Sequence, residues 1–364
     1  MRHDGAAARP GHIADDLGLA DAADPADIRL RNLDLAHIHQ LEPHPMATGL
    51  QKERGVESLA GLYYGYSSVP LMAREGATVR YERPATMKQA TTLLGREKGK
   101  AFVLAGGTDL LVRLRTGFIE PDLVVDIKRI AATRAIEPVG GGFRIGAAVS
   151  CAELGEHAKL KKAWPGVVEA ANLIGSKQVQ GRCTMAGNLC NASPAADSVP
   201  ALVAAAAKAV IVGPRGKRTV PVEQVPTAPG KTSLKKGEII ESILLPKRPP
   251  RSGDAYLRFI PRTEMDIAVV GVGVSIALDG KGVCTDARVA LGAVAPTVLL
   301  VPEAAKALIG TKMDKKALDA LAAACSAACR PIDDKRGTRE FRVKVAGVLA
   351  RRAAQIARKR AGGK

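Results

Sequence analysis

The chain has 364 residues, 46% of them hydrophobic, 25% charged and only 3% aromatic, with a net charge of +18. That length holds two or three domains of roughly 100–200 residues each, with cores built from Ala, Val, Leu and Ile rather than rings. The first 80 residues carry 8 basic and 11 acidic side chains, leaving 46 against 25, or +21, on the rest. With few aromatics to stack on bases and no helix-turn-helix, zinc-finger or RNA-binding signature, this charge points to an acidic partner subunit or a dianionic cofactor rather than nucleic acid.

Residues 1–75 are rich in Ala, Asp, His and Pro, with poor hydrophobic periodicity. Asp15–Leu19 and Ile28–Leu41 are the only helix candidates there. The composition reads as a disordered extension, or as an over-long reading of the gene with Met72 as the start. His3, His12, His37, His39 and His44 are widely spread without paired acidic or thiol ligands, and read as tail residues rather than a metal site.

Clear patterning begins at Thr78. Val79–Tyr81 reads as a strand, Thr86–Gly95 as a helix, Phe102–Ala105 as a buried strand, Thr108–Arg115 as a helix and Leu123–Asp126 as a strand. This β-α-β-α-β order implies a small α/β subdomain. A second unit follows, with a strand at Phe143–Gly146 and helices at Glu153–Leu160 and Val167–Ile174. Ser176–Ala196, rich in Gly, Asn and Ser, reads as a functional loop. An Ala-rich helix at Val199–Lys208 and strands at Ala209–Val212, Thr219–Pro221 and Ile239–Leu245 complete the unit.

Pro246–Gly253 reads as a linker. Ala255–Ile260, Ile267–Leu278 and Asp286–Leu291 then form an antiparallel meander, and helices are expected at Val301–Ile309, Lys315–Cys329 and Glu340–Arg358. The domains are thus expected at 76–248, with lobes of about 76–135 and 136–248, and at 254–360.

The six cysteines include no C-x-x-C pair, so no zinc or iron–sulfur site is expected on this chain. Six free thiols and no secretory signal suggest the cytoplasm. The longest apolar run, near Ala201–Val212, is interrupted by Lys208 and is too short to span a bilayer. His157 falls in an expected helix and reads as a surface or packing residue.

Two glycine-bearing segments carry the chemistry. Leu104-Ala105-Gly106-Gly107-Thr108-Asp109-Leu110 follows a buried strand and opens a helix. Such a junction aims unpaired N–H groups and the positive helix end at one place, and glycines let a ligand approach the backbone. This is the anatomy of a pyrophosphate site; taken alone, it is equally that of a tight strand-to-helix turn. The second segment, Cys183 to Asp197, holds Thr184, Asn188 and Ser193 as donors to phosphate oxygens, and Asp197 as an acceptor from a ribose hydroxyl or adenine amine. Alone, it reads equally as a loop capping its own backbone. Lying about 75 residues apart on consecutive α/β units, the two could clamp one dinucleotide, and neither fits the Rossmann fingerprint.

The pair Ala105-Gly106-Gly107-Thr108-Asp109-Leu110 and Thr184-Met185-Ala186-Gly187-Asn188-Leu189 closely resembles the flavin motifs of the FAD subunits of molybdenum hydroxylases. Arg83-Pro84, Leu123 to Ile127, Ile145 to Ala148, Asn191 to Asp197, Ala228 to Thr232, Glu238 to Ile240, Arg262 with Asp266 to Ala268, and Glu340-Phe341-Arg342 extend the resemblance in order over about residues 80–355.

The resemblance implies an α+β architecture: a two-lobed FAD-binding domain of the PCMH type, followed by a carbon monoxide dehydrogenase flavoprotein-like domain with an antiparallel sheet and three-helix bundle. It implies that Leu104 to Leu110 wrap the FAD pyrophosphate from one side and that Thr184, Ala186, Gly187 and Asn188 hold it from the other. Asp197 would bind the ribose or adenine end and Ile240 the flavin through its backbone. Arg258 would replace a family lysine near the isoalloxazine. Ala186 stands where the family has glycine, which its methyl group permits if the backbone there does not need positive φ.

The implied partners are a large molybdopterin-binding subunit and a small [2Fe–2S] subunit, as a dimer of heterotrimers. The implied activity is electron transfer through FAD to an external acceptor, without a catalytic acid or base on this chain. A flavin-free assembly subunit of the same fold and a stand-alone PCMH-type flavin oxidoreductase are the alternatives.

Overall fold

The computed structural model describes residues 79–262 and 264–363. The helix candidates and histidines expected within residues 1–75 lie outside the described residues.

The first elements are β1 (Arg80–Glu82), α1 (Met87–Arg96), β2 (Ala101–Leu104), α2 (Leu110–Arg115) and β3 (Leu123–Asp126). Thr86 caps α1, its side chain accepting from the Gln89 N–H while the Gln89 side chain accepts from the Thr86 N–H. Met87, Ala90 and Leu94 form its buried stripe. The three strands make a parallel sheet in the order β1-β3-β2, with β3 central and wholly buried. Their C-terminal ends lie on one side, where α/β sheets bind ligands.

Next come β4 (Ile136–Val139), β5 (Gly142–Gly146), α3 (Cys151–Glu156), α4 (Ala158–Ala163), α5 (Pro165–Ala171), α6 (Lys177–Gln180), α7 (Met185–Asn191) and α8 (Ser198–Ala204). They are followed by β6 (Lys208–Gly213), β7 (Gly216–Pro221), β8 (Pro226–Ala228), β9 (Lys231–Thr232) and β10 (Ile239–Leu245). An antiparallel sheet runs β4-β5-β10-β6-β7, and β8 and β9 form a separate hairpin. β10, Ile-Ile-Glu-Ser-Ile-Leu-Leu, is largely apolar, which fits its central, nearly fully buried position.

Two expectations change here. The helix expected at Glu153–Leu160 breaks at His157, whose Nδ1 accepts from the Leu160 N–H at 3.1 Å and caps α4. Much of Ser176–Ala196, expected as loop, is helical in α6 and α7; in α7 the Thr184 cap and the burial of Met185, Ala186 and Leu189 outweigh the poor helix propensity of Gly and Asn.

The last part holds β11 (Ser252–Phe259), β12 (Val270–Leu278), β13 (Cys284–Gly292), β14 (Leu299–Leu300), α9 (Pro302–Lys306), α10 (Lys315–Ala328) and α11 (Arg339–Arg360). The sheet is the antiparallel meander expected, with β14 added at its edge. The linker expected at Pro246–Gly253 is shorter, since Ser252 and Gly253 already pair within β11.

β12 reads Val-Gly-Val-Gly-Val-Ser-Ile, and its period of two sorts its faces. Val270, Val272, Val274 and Ile276 share a core with Leu318, Leu321, Ala346 and Ala350 of α10 and α11. On the opposite face α8 lies close; a Cβ on Gly273 would stand 2.4 Å from the carbonyl oxygen of Pro200. The buried Arg342 donates to the carbonyls of Val269 at 2.7 Å and Ala293 at 3.3 Å and pairs with Asp334, pinning α11 to the sheet end.

Where β10 hands over to β11, the Arg248 guanidinium packs on the Trp164 ring, 4.5 Å from its centroid, and pairs with Asp254 at 2.6 Å. The end of α11 returns to the same place. A Cβ on Gly253 would meet the Ala357 carbonyl oxygen at 2.0 Å, and Arg360 donates to the Asp254 carbonyl at 2.8 Å and pairs with Glu169 of α5.

Candidate functional site

β2 ends at Leu104 and α2 begins at Leu110, so residues 105–109 form the turn between a strand end and a helix start. Gly107 sits at φ +82°, where a side chain is strained and would also meet the Leu104 and Leu111 side chains. Among the described residues, the N–H groups of Gly106, Gly107, Thr108, Asp109 and Leu110 have no protein acceptor. They form a backbone nest at the positive end of a helix.

The second turn is built from Thr184. Its Oγ1 accepts from the Gly187 N–H at 2.9 Å and caps α7, leaving the hydroxyl proton free to donate. The N–H groups of Met185 and Ala186, in the first turn of α7, also have no protein acceptor among the described residues. Ala186 is helical, outside the positive-φ residues, so its methyl group brings no backbone strain.

The two turns touch. A Cβ on Gly106 would stand 2.1 Å from the carbonyl oxygen of Arg182, so glycine is what lets the first turn lie against the backbone leading into the second. The Asn191 amide donates to Asp109 Oδ1 at 3.1 Å and ties them again. Lys128 braces the first turn from behind, donating to the Ala105 carbonyl at 3.2 Å and pairing with Asp126 at 2.8 Å.

Together the turns open onto a cleft of about 360 Å³, floored by β2 and the start of β10 and flanked by Thr232 and Leu234. Its charges are set by their neighbours. Burial pushes the Asp109 carboxyl up, against the pull of Arg113. The Arg218 guanidinium holds the Glu238 carboxyl down at about 2, so this residue lines the cleft as a paired carboxylate.

Of the residues singled out in the sequence, Ala105 to Leu110, Thr184, Ala186, Gly187, Asn188 and Ile240 all line this cleft. The Asn188 Oδ1 accepts from the Ser198 N–H at 3.1 Å and hydroxyl at 2.7 Å, which leaves its amide NH₂ to donate. Leu104, Ser193, Asp197 and Arg258 are not among the lining residues. Leu104 packs beneath Gly107, and the Ser193 hydroxyl accepts from the Ala195 N–H. Asp197 and Arg258, expected at opposite ends of a bound cofactor, pair with each other at 2.8 Å, and Tyr256 donates to the same carboxylate at 3.3 Å.

Sequence reasoning missed Phe102 and Arg113, which also line the cleft. The signal for Arg113 was its place one helical turn after Asp109. Thr232 was quoted as a landmark without a role, and it too lines the cleft.

The donor set fits a dinucleotide diphosphate. Six residues that line the cleft, Gly106 to Leu110 and Ala186, carry backbone N–H groups with no acceptors of their own among the described residues, and the turn glycines leave no Cβ in the way.

Residues 77–248 match the family described as FAD binding domain in molybdopterin dehydrogenase, and residues 255–357 match the CO dehydrogenase flavoprotein C-terminal domain. The chain is 32% identical over 286 residues to the xanthine dehydrogenase FAD-binding subunit of Escherichia coli, covering 78% of this chain and 97% of that one. It is 32% identical over 277 residues to the carbon monoxide dehydrogenase medium chain of Hydrogenophaga pseudoflava, covering 76% and 96%. Among solved structures it resembles a chain of reconstituted CO dehydrogenase from Oligotropha carboxidovorans with a TM-score of 0.74 at 32% identity, covering 78% of this chain and 98% of that one.

Proposed function

Because this chain belongs to the family of FAD-binding subunits of molybdenum hydroxylases, we propose that it is the electron-exit subunit of such a complex. In this reading it receives electrons from the [2Fe–2S] clusters of a small partner and delivers them to an external acceptor. A large molybdopterin-binding subunit oxidises the substrate, and the whole is a dimer of heterotrimers. The chain is a subunit of an FAD-dependent oxidoreductase, and bound FAD supplies the redox chemistry. What the protein supplies is binding, orientation and electrostatics.

The observation that supports this most directly is the approach of Gly106 to the Arg182 carbonyl, which sets two amide-bearing turns on one cleft. The nest at Gly106 to Leu110 would hold the diphosphate from one side. Thr184 and the N–H groups of Met185 and Ala186 would hold it from the other, with Gly187 keeping the approach open and the Asn188 amide donating. Ile240, on the cleft floor, would meet the flavin through its backbone. The Asp197–Arg258 pair would act from behind, fixing the start of α8 against β11.

The chain covers nearly the full length of its first relatives, whose names describe subunits. Among the described residues no helix is long and apolar enough to cross a membrane.

The test is co-expression with candidate large and small subunits, followed by purification. The expected result is a yellow complex that releases FAD on denaturation and whose flavin is bleached by substrate only when all three chains are present. A colourless chain that cannot be reconstituted with FAD would instead mark a flavin-free assembly subunit. Flavin reduction by a small substrate without partners would mark a stand-alone oxidoreductase.

A further inference from the structure

The cleft holds a cation that the reading above does not use. Arg113 lies in the second turn of α2 and lines the cleft beside Phe102. Its guanidinium lies 5.8 Å from the centroid of the Phe102 ring and 5.4 Å from that of Phe118. Its Nε is sealed from solvent and has no hydrogen-bond partner among the described residues. The other three atoms in that condition, on Glu223, Ser242 and Arg358, belong to residues that do not line the cleft. Asp109, one turn earlier on the same helix face, accepts from Asn191 instead.

A buried donor without an acceptor is costly and rare in a folded protein. Here the two rings hold the guanidinium in place before any ligand arrives. Helical side chains lean toward the N-terminus of their helix, and the N-terminus of α2 is the amide nest. A guanidinium is permanently charged, weakly hydrated and shaped for phosphate oxygens.

We propose that Arg113 is a further dinucleotide-binding residue, donating from its guanidinium to a diphosphate oxygen held at the start of α2. The inference rests on the FAD reading above. It adds a side chain from the body of α2 to a cradle otherwise made largely of backbone.

The experiment is an equilibrium titration of the flavin-stripped full-length chain with FAD and, separately, with riboflavin, which lacks phosphate. It compares the wild type, Arg113→Gln and Arg113→Lys across a salt series. Arg113→Gln should weaken FAD binding about tenfold and flatten its salt dependence, leaving riboflavin binding unchanged. Arg113→Lys should keep the salt dependence and recover only part of the affinity. Wild-type FAD affinity in Arg113→Gln, or equal losses for FAD and riboflavin, overturns the assignment and leaves a packing role. If Arg113→Gln does not fold, Arg113→Lys decides: a loss for FAD alone supports the assignment, and no loss overturns it. A wild-type chain that binds no FAD at all would sink the proposed function instead.

Discussion

Gly106 and Arg182 lie so close that a single methyl group on the first would stand 2.1 Å from the carbonyl oxygen of the second. Neither partner of this contact can yield cheaply, because both are backbone. Gly106→Ala is therefore expected to destabilise the chain by about 1–3 kcal/mol, the usual cost of overpacking, and to weaken FAD binding at least about tenfold by parting the two turns. Urea unfolding and a flavin titration measure the two effects. Unaltered FAD affinity in a folded variant would show that the turns need not touch to bind it.

Ala186 invites the reverse experiment. Its backbone is helical, within the first turn of α7. Restoring the family glycine by Ala186→Gly should thus relieve nothing, and should cost about 0.5–1 kcal/mol through the greater freedom of the unfolded chain. FAD affinity should stay within a few-fold of wild type. A large gain in affinity would mean that the methyl group does crowd the ligand.

The Asp197–Arg258 pair makes stability depend on pH. Burial pushes the Asp197 carboxyl up to about 6 from an ordinary 3.8, despite the opposing pull of Arg258 and Tyr256. The folded chain therefore holds this proton more tightly than the unfolded chain does. Asp197 should lower stability as pH rises from about 4 to about 6, and level off above that. Asp197→Asn should remove this slope from a series of urea midpoints. Arg258→Met removes the counter-charge, so the Asp197 carboxyl should take up a proton near neutral pH; the variant should lose about 1–3 kcal/mol, with much of the loss recovered in the double variant. An unchanged slope in Asp197→Asn would assign the pH dependence to other groups.

The elements most legible in the sequence were those whose hydrophobic pattern and packing agree. β3 and β10 fall on the residues expected because each is mostly apolar and buried in the middle of its sheet. β4 was overlooked because Ile-Glu-Pro-Val is mostly exposed, lies at a sheet edge and contains a proline. α7 was hidden by its Gly and Asn, and only the Thr184 cap and the burial of Met185, Ala186 and Leu189 account for it. In the site, the glycine turns announced themselves through composition. The pairing of Asp197 with Arg258, 61 residues apart, leaves no local trace; it arises from where α8 meets β11. The stacking of Arg113 on Phe102 and Phe118 likewise needs the folded path of β2 and α2.

The last turn of α11 fastens to the beginning of β11 and to α5, through the gap left at Gly253 and the reach of Arg360 to Glu169. Arg360 follows the cleft-forming strands by more than a hundred positions. The tie works as a latch that cannot close before α11 has been made. The nucleotide pocket can take shape before α11 has emerged, and this last tie between the C-terminal sheet and α5 is added only afterwards.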